Sequence, residues 1–229
     1  MKIKIIYENN LKGKGLRPGW GFAAVIEFNG KTILFDTGGK ADILLSNMKA
    51  LHINPQEITD IFISHIHWDH TGGLFGFLKG LFGFLNKNHK VNVYVPASFS
   101  DAYCGEVKAC GARCVRIKGF KRIAKNIYSS GEMGTILKEQ FLIIDAPEGL
   151  AMITGCSHPG IVAMVELAKK KLNKKIDLVL GGFHLYKSTA SEIKSIKNKL
   201  RILGVRRLSP CHCSGGKAVG LETGLFKLS

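Results

Sequence analysis

The chain lacks the features that would assign it to a membrane or secreted class. No apolar run approaches the roughly 20 residues that a helix needs to cross a bilayer, and the start, MKIKIIYENN, has no apolar segment typical of a signal peptide. No CxxC pair occurs among the six cysteines, which stand at 104, 110, 114, 156, 211 and 213. We therefore expect a cytoplasmic protein without a disulfide framework, in which the cysteines are thiols. A small metal knot of Cys104, Cys110 and Cys114 is the alternative for the first three.

Acidic residues are scarce. The chain has 17 Asp and Glu against 33 Lys and Arg, a formal net charge of +16. Such an excess favours anionic partners, or else forms a lysine-rich solvated surface. Aromatic residues are not interleaved with basic runs such as KKKLNKK (169–175), which argues against a groove for single-stranded nucleic acid. We expect an anionic small-molecule substrate, with nucleic acid disfavoured.

The pattern of elements predicts one domain over residues 1–229, with sheet layers covered by helices. In the first half, GFAAVIEF and KTILFDTG flank Asn29-Gly30, a dipeptide suited to a tight hairpin. A helix is predicted near Ala41–Leu51, a capped turn at Asn54-Pro55, and a strand at DIFIS (60–64).

The second half alternates strands and helices. LAMIT (150–154), IDLVL (176–180) and VRRLS (205–209) read as strands. Residues 161–172 carry apolar side chains at helical spacing, and Thr189 to Glu192 forms a capping box before a helix that Gly204 closes.

An apolar repeat lies between the two halves. GLFGFL occurs at 73–78 and again at 80–85, seven residues apart, which is about two helical turns. The segment is apolar nearly all round and predicts a buried or pocket-lining helix. The alternatives are a membrane contact or a homo-oligomer formed through residues 73–85.

Four side chains that bind metals stand within six positions of ISHIHWDHTGGL (63–74), namely His65, His67, Asp69 and His70. Residues two apart on an extended chain face the same way, so His65 and His67 can both point at one ion. Packing does not explain four such groups together, because crowded polar groups without partners are costly. The stretch therefore predicts half of a zinc site.

Three distant histidines follow apolar strands in the same manner. His158, His184 and His212 end the segments LAMITGCSH, IDLVLGGFH and VRRLSPCH. Loops at one edge of a sheet commonly assemble a site. These three histidines are therefore the candidates for the remaining ligands of a metal site.

The motif H-x-H-x-D-H followed by Thr-Gly-Gly, together with Asp36 in DTGG, resembles the signature of the metallo-β-lactamase superfamily. TGCSHPGI, GGFHL and PCHCSG, with WGFAAVIEF and LFDTGG, resemble a branch named for 7,8-dihydropterin-6-ylmethyl-4-(β-D-ribofuranosyl)aminobenzene 5′-phosphate synthase. The resemblance covers nearly the whole chain. It implies an α+β four-layer αββα sandwich with metals at one edge between two sheets.

The resemblance also implies a two-metal site. Asp36 would hold a histidine ligand in the correct tautomer, Asp69 would bind the second metal and orient the hydroxide, and His184 would contact substrate or shuttle a proton. Cys156 stands where many members have a bridging aspartate, and it is a ligand or a buried thiol. The first metal is assigned to His65, His67 and His158, and the second to Asp69, His70 and His212.

These residues predict an enzyme with two zinc ions, with iron or manganese as alternatives. The main expectation is a hydrolase of a phosphorylated or anionic small molecule, in which metal lowers the pKa of bound water to about 7 and yields a metal-bound hydroxide. A transferase is the first alternative, a pterin–arylamine condensation with loss of diphosphate in methanopterin assembly. A nuclease is the second, weakened because 229 residues leave little room for an extra RNA-binding domain. The complete ligand set argues against a non-catalytic binding protein.

Overall fold

The computed structural model describes residues 1–84 and 91–219, with the side chains of 81–84 outside the description. Met1–Lys118 forms one compact unit, and a second unit begins at Gly119. Each unit contains one six-stranded sheet. The single domain expected over residues 1–229 stays a prediction. Among the described residues, no helix has both the length and the apolarity that crossing a bilayer requires.

The sheet of the first unit follows the order of the chain. Strands β1, β2 and β3 pair antiparallel, whereas β3 to β6 run parallel. The predicted hairpin is confirmed, because Phe28 pairs with Lys31 and the turn residues Asn29 and Gly30 have φ of 48° and 71°. The strands are β1 (Lys2–Tyr7), β2 (Ala23–Phe28), β3 (Lys31–Phe35), β4 (Asp60–Phe62), β5 (Asn92–Pro96) and β6 (Arg113–Ile117).

Within residues 1–84 and 91–118, four α-helices accompany this sheet, and the predicted first helix is confirmed. Its buried face includes Leu44 and Met48. The predicted turn at Asn54 is a short 3₁₀ helix, Pro55–Glu57, in which the Asn54 side chain accepts a hydrogen bond from the Gln56 N–H. The helices are α1 (Ala41–Ala50), α2 (Trp68–Thr71), α3 (Leu74–Phe84) and α4 (Asp101–Ala109).

The apolar segment begins as a core helix. Leu74, Phe77 and Leu78 of α3 are fully buried in the hydrophobic core of the first unit. This confirms the interpretation as a buried helix for residues 74–78. The rest of the repeat, from residue 81, lies outside the described side chains, and an oligomer through this segment stays a prediction.

The expectation for the first cysteines is wrong. Cys104 in α4 and Cys114 in β6 form a disulfide, with 5.4 Å between their Cα atoms, while Cys110 is free. A metal knot of the three is excluded by that bond. The compartment and the spacing of the cysteines predicted thiols, but the packing of α4 beside β6 brings the Cα atoms of Cys104 and Cys114 to a distance that a disulfide spans.

The second unit also has a mixed sheet, in the order β12-β11-β10-β9-β8-β7. Strands β10, β11 and β12 run parallel, and β7 to β10 pair antiparallel. The strands are β7 (Lys121–Ala124), β8 (Ile127–Ser129), β9 (Leu142–Ala146), β10 (Gly149–Thr154), β11 (Ile176–Gly182) and β12 (Arg207–Cys211).

The predicted helices of the second unit are present. They are α5 (Ile161–Leu172) and α6 (Ala190–Ile202), and short helices His212–Ser214 (3₁₀) and α7 (Gly216–Val219) follow. The capping box of Thr189 and Glu192 is confirmed. The last strand begins two residues later than predicted, because the N–H of Val205 still bonds to the carbonyl of Leu200 at the end of α6.

Candidate metal centre

Asp36 lies where β3 and β4 end side by side. Phe35 and Phe62 are register partners in this parallel pair, so both strands leave the sheet at one edge. The Asp36 N–H donates to the Phe62 carbonyl at 2.8 Å. The residue has a φ of 52° and is fully buried. Left-handed conformations are uncommon outside glycine and concentrate at functional sites.

A chain of hydrogen bonds from Asp36 fixes the tautomers of two histidines. One carboxylate oxygen accepts from the Ser64 hydroxyl and from His70 Nδ1, each at 2.7 Å. Because Ser64 uses its one hydroxyl proton on Asp36, its oxygen accepts from His65 Nδ1 at 2.8 Å. Both rings therefore carry their proton on Nδ1 and present a lone pair on Nε2. Metal-binding histidines usually have this kind of outer partner.

The donor atoms of the HxHxDH stretch converge. His65 Nε2 lies 3.1 Å from His67 Nδ1, and the ring centroids of His65 and His70 are 4.2 Å apart. His70 Nε2 lies 3.9 Å from an Asp69 carboxylate oxygen. Two nitrogen ligands at a tetrahedral angle on zinc stand about 3.3 Å apart, so the separation of the first pair suits one ion.

The predicted histidines of the second unit follow three parallel strands. β10, β11 and β12 end at one edge, and His158, His184 and His212 lie in the turns that come next. The rings of His158 and His184 have centroids 4.5 Å apart. Their donor atoms and the sulfur of Cys156 lie within 4.8 Å of one another. The structure therefore places Cys156 among the predicted ligands of this unit.

Glu139 holds the turn that carries Cys156 and His158. Its fully buried carboxylate accepts hydrogen bonds from three successive backbone N–H groups, those of Cys156 (3.0 Å), Ser157 (2.9 Å) and His158 (2.8 Å). Ser157 has a φ of 61°. Charge-assisted bonds of this kind are among the stronger ones in proteins. The carboxylate thus stabilises an otherwise unfavourable turn.

Cys213 is a second sulfur in the same unit. A hydrogen bond with Cys156 holds the pKa of the Cys213 thiol well below its usual value, against the opposing effect of burial. His184 and the charge of His212 act in the same direction. The contact with Cys213 raises the pKa of His184. The two shifts have one cause in common, the contact between the Cys213 sulfur and the His184 ring.

The donor chemistry of both clusters fits a zinc ion. Imidazole nitrogen, carboxylate oxygen and thiolate sulfur are the ligands that zinc takes in proteins. Within the first unit the structure brings together His65, His67, Asp69 and His70, and within the second His158, His184 and His212. The division of these residues between two particular ions stays a prediction.

Sequence reasoning missed two residues that support the clusters, Ser64 and Glu139, and it gave a third, Cys213, no role beyond its place beside a histidine. Ser64 directly precedes the motif, but nothing in the sequence indicates that it links Asp36 to His65. Glu139 belongs to no motif. Cys213 adjoins a predicted ligand, and the pair of cysteines around the histidine in PCHC was the one available signal.

Comparison with known proteins adds independent information. The family model described as metallo-beta-lactamase superfamily matches residues 16–82. The chain is 32% identical over 255 residues to the 7,8-dihydropterin-6-methyl-4-(beta-D-ribofuranosyl)-aminobenzene-5'-phosphate synthase of Methanocaldococcus jannaschii, covering 91% of this chain and 85% of that protein. It is 38% identical over 71 residues to ribonuclease Z of Methanococcus aeolicus, covering 31% of this chain and 21% of that protein.

A solved structure is similar over nearly the whole chain. It is that of Tm1679, a metal-dependent hydrolase of the beta-lactamase superfamily, with a TM-score of 0.77 and 28% sequence identity. The similarity covers 96% of this chain and 90% of that one. With two mixed sheets and their helices, this confirms the predicted α+β fold class.

Proposed function

The chain is an enzyme of the metallo-beta-lactamase superfamily, and on this premise we propose that it is a transferase that joins a dihydropterin to an aminobenzene ribofuranosyl phosphate. This reaction was the first alternative in the sequence analysis, and it replaces the hydrolase as the main proposal. The similarity to the synthase from M. jannaschii carries it, because that similarity extends over most of both proteins.

The reaction is a substitution at a methylene carbon. The arylamine nitrogen attacks the carbon attached to the pterin, the bond to diphosphate breaks, and the amine loses a proton. Both substrates are anionic, one through a diphosphate and the other through a ribose 5′-phosphate. The net charge of +16 supports such substrates, since a basic protein raises the local concentration of anions.

We assign the metal ligands as the resemblance to the superfamily implies. A bound metal ion would stabilise the negative charge on the departing diphosphate. The tautomers that Asp36 imposes on His65 and His70 support the assignment, because each ring then offers Nε2. The ions are zinc, with His65, His67 and His158 on the first and Asp69, His70 and His212 on the second.

Two side chains have roles beyond holding metal. Asp69 lies next to His70 and would orient the incoming amine. His184 is exposed, beside Tyr186, with the two ring centroids 5.4 Å apart. An exposed imidazole at the end of β11 suits the transfer of the amine proton to solvent.

The test is turnover of a dihydropterin diphosphate with an aminobenzene ribotide, with mass-spectrometric detection of the carbon–nitrogen product. We expect product with the native enzyme and a loss of more than about 100-fold in His67→Ala, because even outer partners of metal ligands change activity about 10–100-fold. His52→Asn, at an exposed position with φ of 54°, is the control and keeps full activity. Bound metal with no condensation product would overturn the proposal.

A hydrolase is the second candidate, favoured by the similarity to the structure of Tm1679. It predicts cleavage of bis-p-nitrophenyl phosphate that is lost in His67→Ala. Cleavage without condensation would select the hydrolase. The nuclease alternative has less support, because the similarity to ribonuclease Z spans less than a third of this chain.

A further inference from the structure

Two cysteines and a histidine of the second unit form a donor cluster that the ligand assignment above does not use in full. The sulfurs of Cys156 and Cys213 and a ring nitrogen of His212 lie within 4.8 Å of one another, and all three residues are buried. Cys156 comes from the turn after β10, whereas His212 and Cys213 come from the turn after β12. Cys213 Sγ also lies 3.7 Å from the Cys156 carbonyl oxygen. Three donors from two separate turns therefore converge on one small volume.

The surroundings of the two sulfurs differ from those of an ordinary buried thiol. A buried free cysteine usually packs as a small apolar side chain. Cys156 instead has donor nitrogens of His158 and His184 within 4.8 Å, and Cys213 is hydrogen-bonded to His184. Thiolate sulfur and imidazole nitrogen are ligands that zinc takes in proteins, so the neighbours of both sulfurs suit a bound cation.

The backbone around the cluster is shaped to hold the sulfurs in place. Ser157 and His212 have φ of 61° and 50°, in the region that side chains rarely adopt. The Glu139 carboxylate holds the first of these turns. At Gly182, a Cβ would stand 2.6 Å from the Cys213 sulfur, so the glycine leaves the space that the sulfur occupies.

We propose that the thiolates of Cys156 and Cys213 bind, together with His212, the metal that the proposed function assigns to His212. The inference rests on that function, and it answers the question that the sequence left open for Cys156. Thiolate ligands favour zinc over manganese or magnesium. Each cysteine releases its proton when the metal binds.

Cobalt substitution tests the proposal. Co²⁺ is added to the reduced, metal-free full-length protein, where visible ligand-field bands report bound cobalt and a near-ultraviolet charge-transfer band reports sulfur ligation. We expect both in the native protein, about half the charge-transfer intensity in Cys156→Ser and in Cys213→Ser, and none in the double variant. Cys211→Ser is the matched control. Cys211 is a buried cysteine two residues from Cys213, and it belongs to none of the donor clusters found among the described residues. This variant should retain the charge-transfer band.

X-ray absorption of the zinc-loaded native protein gives a readout that needs no variant. We expect a sulfur shell at about 2.3 Å beside nitrogen and oxygen at about 2.0–2.1 Å. Bound cobalt without the charge-transfer band, or zinc without the sulfur shell, would overturn the thiolate assignment and leave the proposed function standing. A protein that binds neither ion would overturn both.

Discussion

Asp36 is hydrogen-bonded to one proposed metal ligand, His70, and reaches a second, His65, through Ser64. Its carboxylate accepts from the Ser64 N–H, the Ser64 hydroxyl and His70 Nδ1, each at 2.7 Å. Through the serine it also sets the tautomer of His65. One buried side chain therefore orients two imidazoles at once, which makes it a positioning residue.

Asp36→Asn replaces one carboxylate oxygen with a donor. The new amide N–H then either faces the N–H at His70 Nδ1, donor against donor, or the His70 ring moves its proton to Nε2. A metal would bind at Nε2, so that tautomer blocks the site. We expect zinc affinity, measured by competition with a chromophoric chelator, to fall about 10–100-fold, and ¹⁵N NMR of His70 to show the other tautomer.

Asp42→Asn is the control for that substitution. Asp42 is exposed and pairs with Arg17 at 2.9 Å. The zinc affinity of the Asp42→Asn variant should therefore match that of the native protein. Native affinity in Asp36→Asn, with the metal-free fold intact by circular dichroism, would contradict the positioning role.

The strands of the first sheet are joined at their amino ends by a different carboxylate. Asp60, buried at the start of β4, accepts from Asn92 of β5 at 2.9 Å and from Thr59 at 2.8 Å, and it pairs with Lys31 of β3 at 2.9 Å. Burial alone would raise the pKa of Asp60, but these partners together outweigh burial and hold the pKa below its usual value. The carboxyl ends of β3 and β4 thus lead to Asp36 and the proposed metal ligands, whereas the amino ends carry a stabilising ion pair.

Asn92→Ala should reduce stability in a pH-dependent way. A carboxyl whose pKa is lowered by folding adds stability above its unfolded pKa of about 3.9, and this stability is lost as the pH falls through the folded value. Losing one bond to the carboxylate should lower the free energy of unfolding by about 1.5–3 kcal/mol at neutral pH. Urea unfolding across the acid range should show this deficit shrinking below a pH of about 4. Asn198→Ala, at an exposed position in α6, should show no such pH dependence, and a constant deficit in Asn92→Ala would contradict the argument.

The molecule as a whole carries a large excess of positive charge. The formal net charge of +16 means that positive side chains repel one another in the compact state. Exposed ion pairs such as Lys2–Glu27 at 3.4 Å oppose this only weakly, since such pairs are worth about 0–1 kcal/mol each. Self-repulsion should therefore outweigh the exposed pairs in the response to salt.

Salt should stabilise the protein. Raising ionic strength from about 0.01 M to 0.15 M shortens the screening length from about 30 Å to 8 Å. The melting temperature of the metal-free protein should rise, by about 2–4 °C for each kcal/mol of repulsion removed. Exchanging the exposed Lys175 and Lys194 for glutamate should make the rise in melting temperature with salt smaller. A melting temperature that falls with salt would show that ion pairs dominate.

Local features of the fold could be read from the amino-acid order. The hairpin at Asn29-Gly30, the helix after Ala41 and the capping box at Thr189 form as expected. Turn chemistry, capping and hydrophobic spacing act within a few residues, so the information lies in adjacent positions. The same holds for the ligand types and the spacing of residues 65–70.

Strand pairing and packing settled the contacts between distant residues. They brought Glu139 to the backbone of Cys156, Cys213 to the same cysteine across 57 positions, and Cys104 to Cys114. None of these contacts has a local pattern, because each depends on which strands and turns become neighbours when the core forms. The sequence therefore indicated the chemistry of the donors, and the folded chain determined which side chains support them.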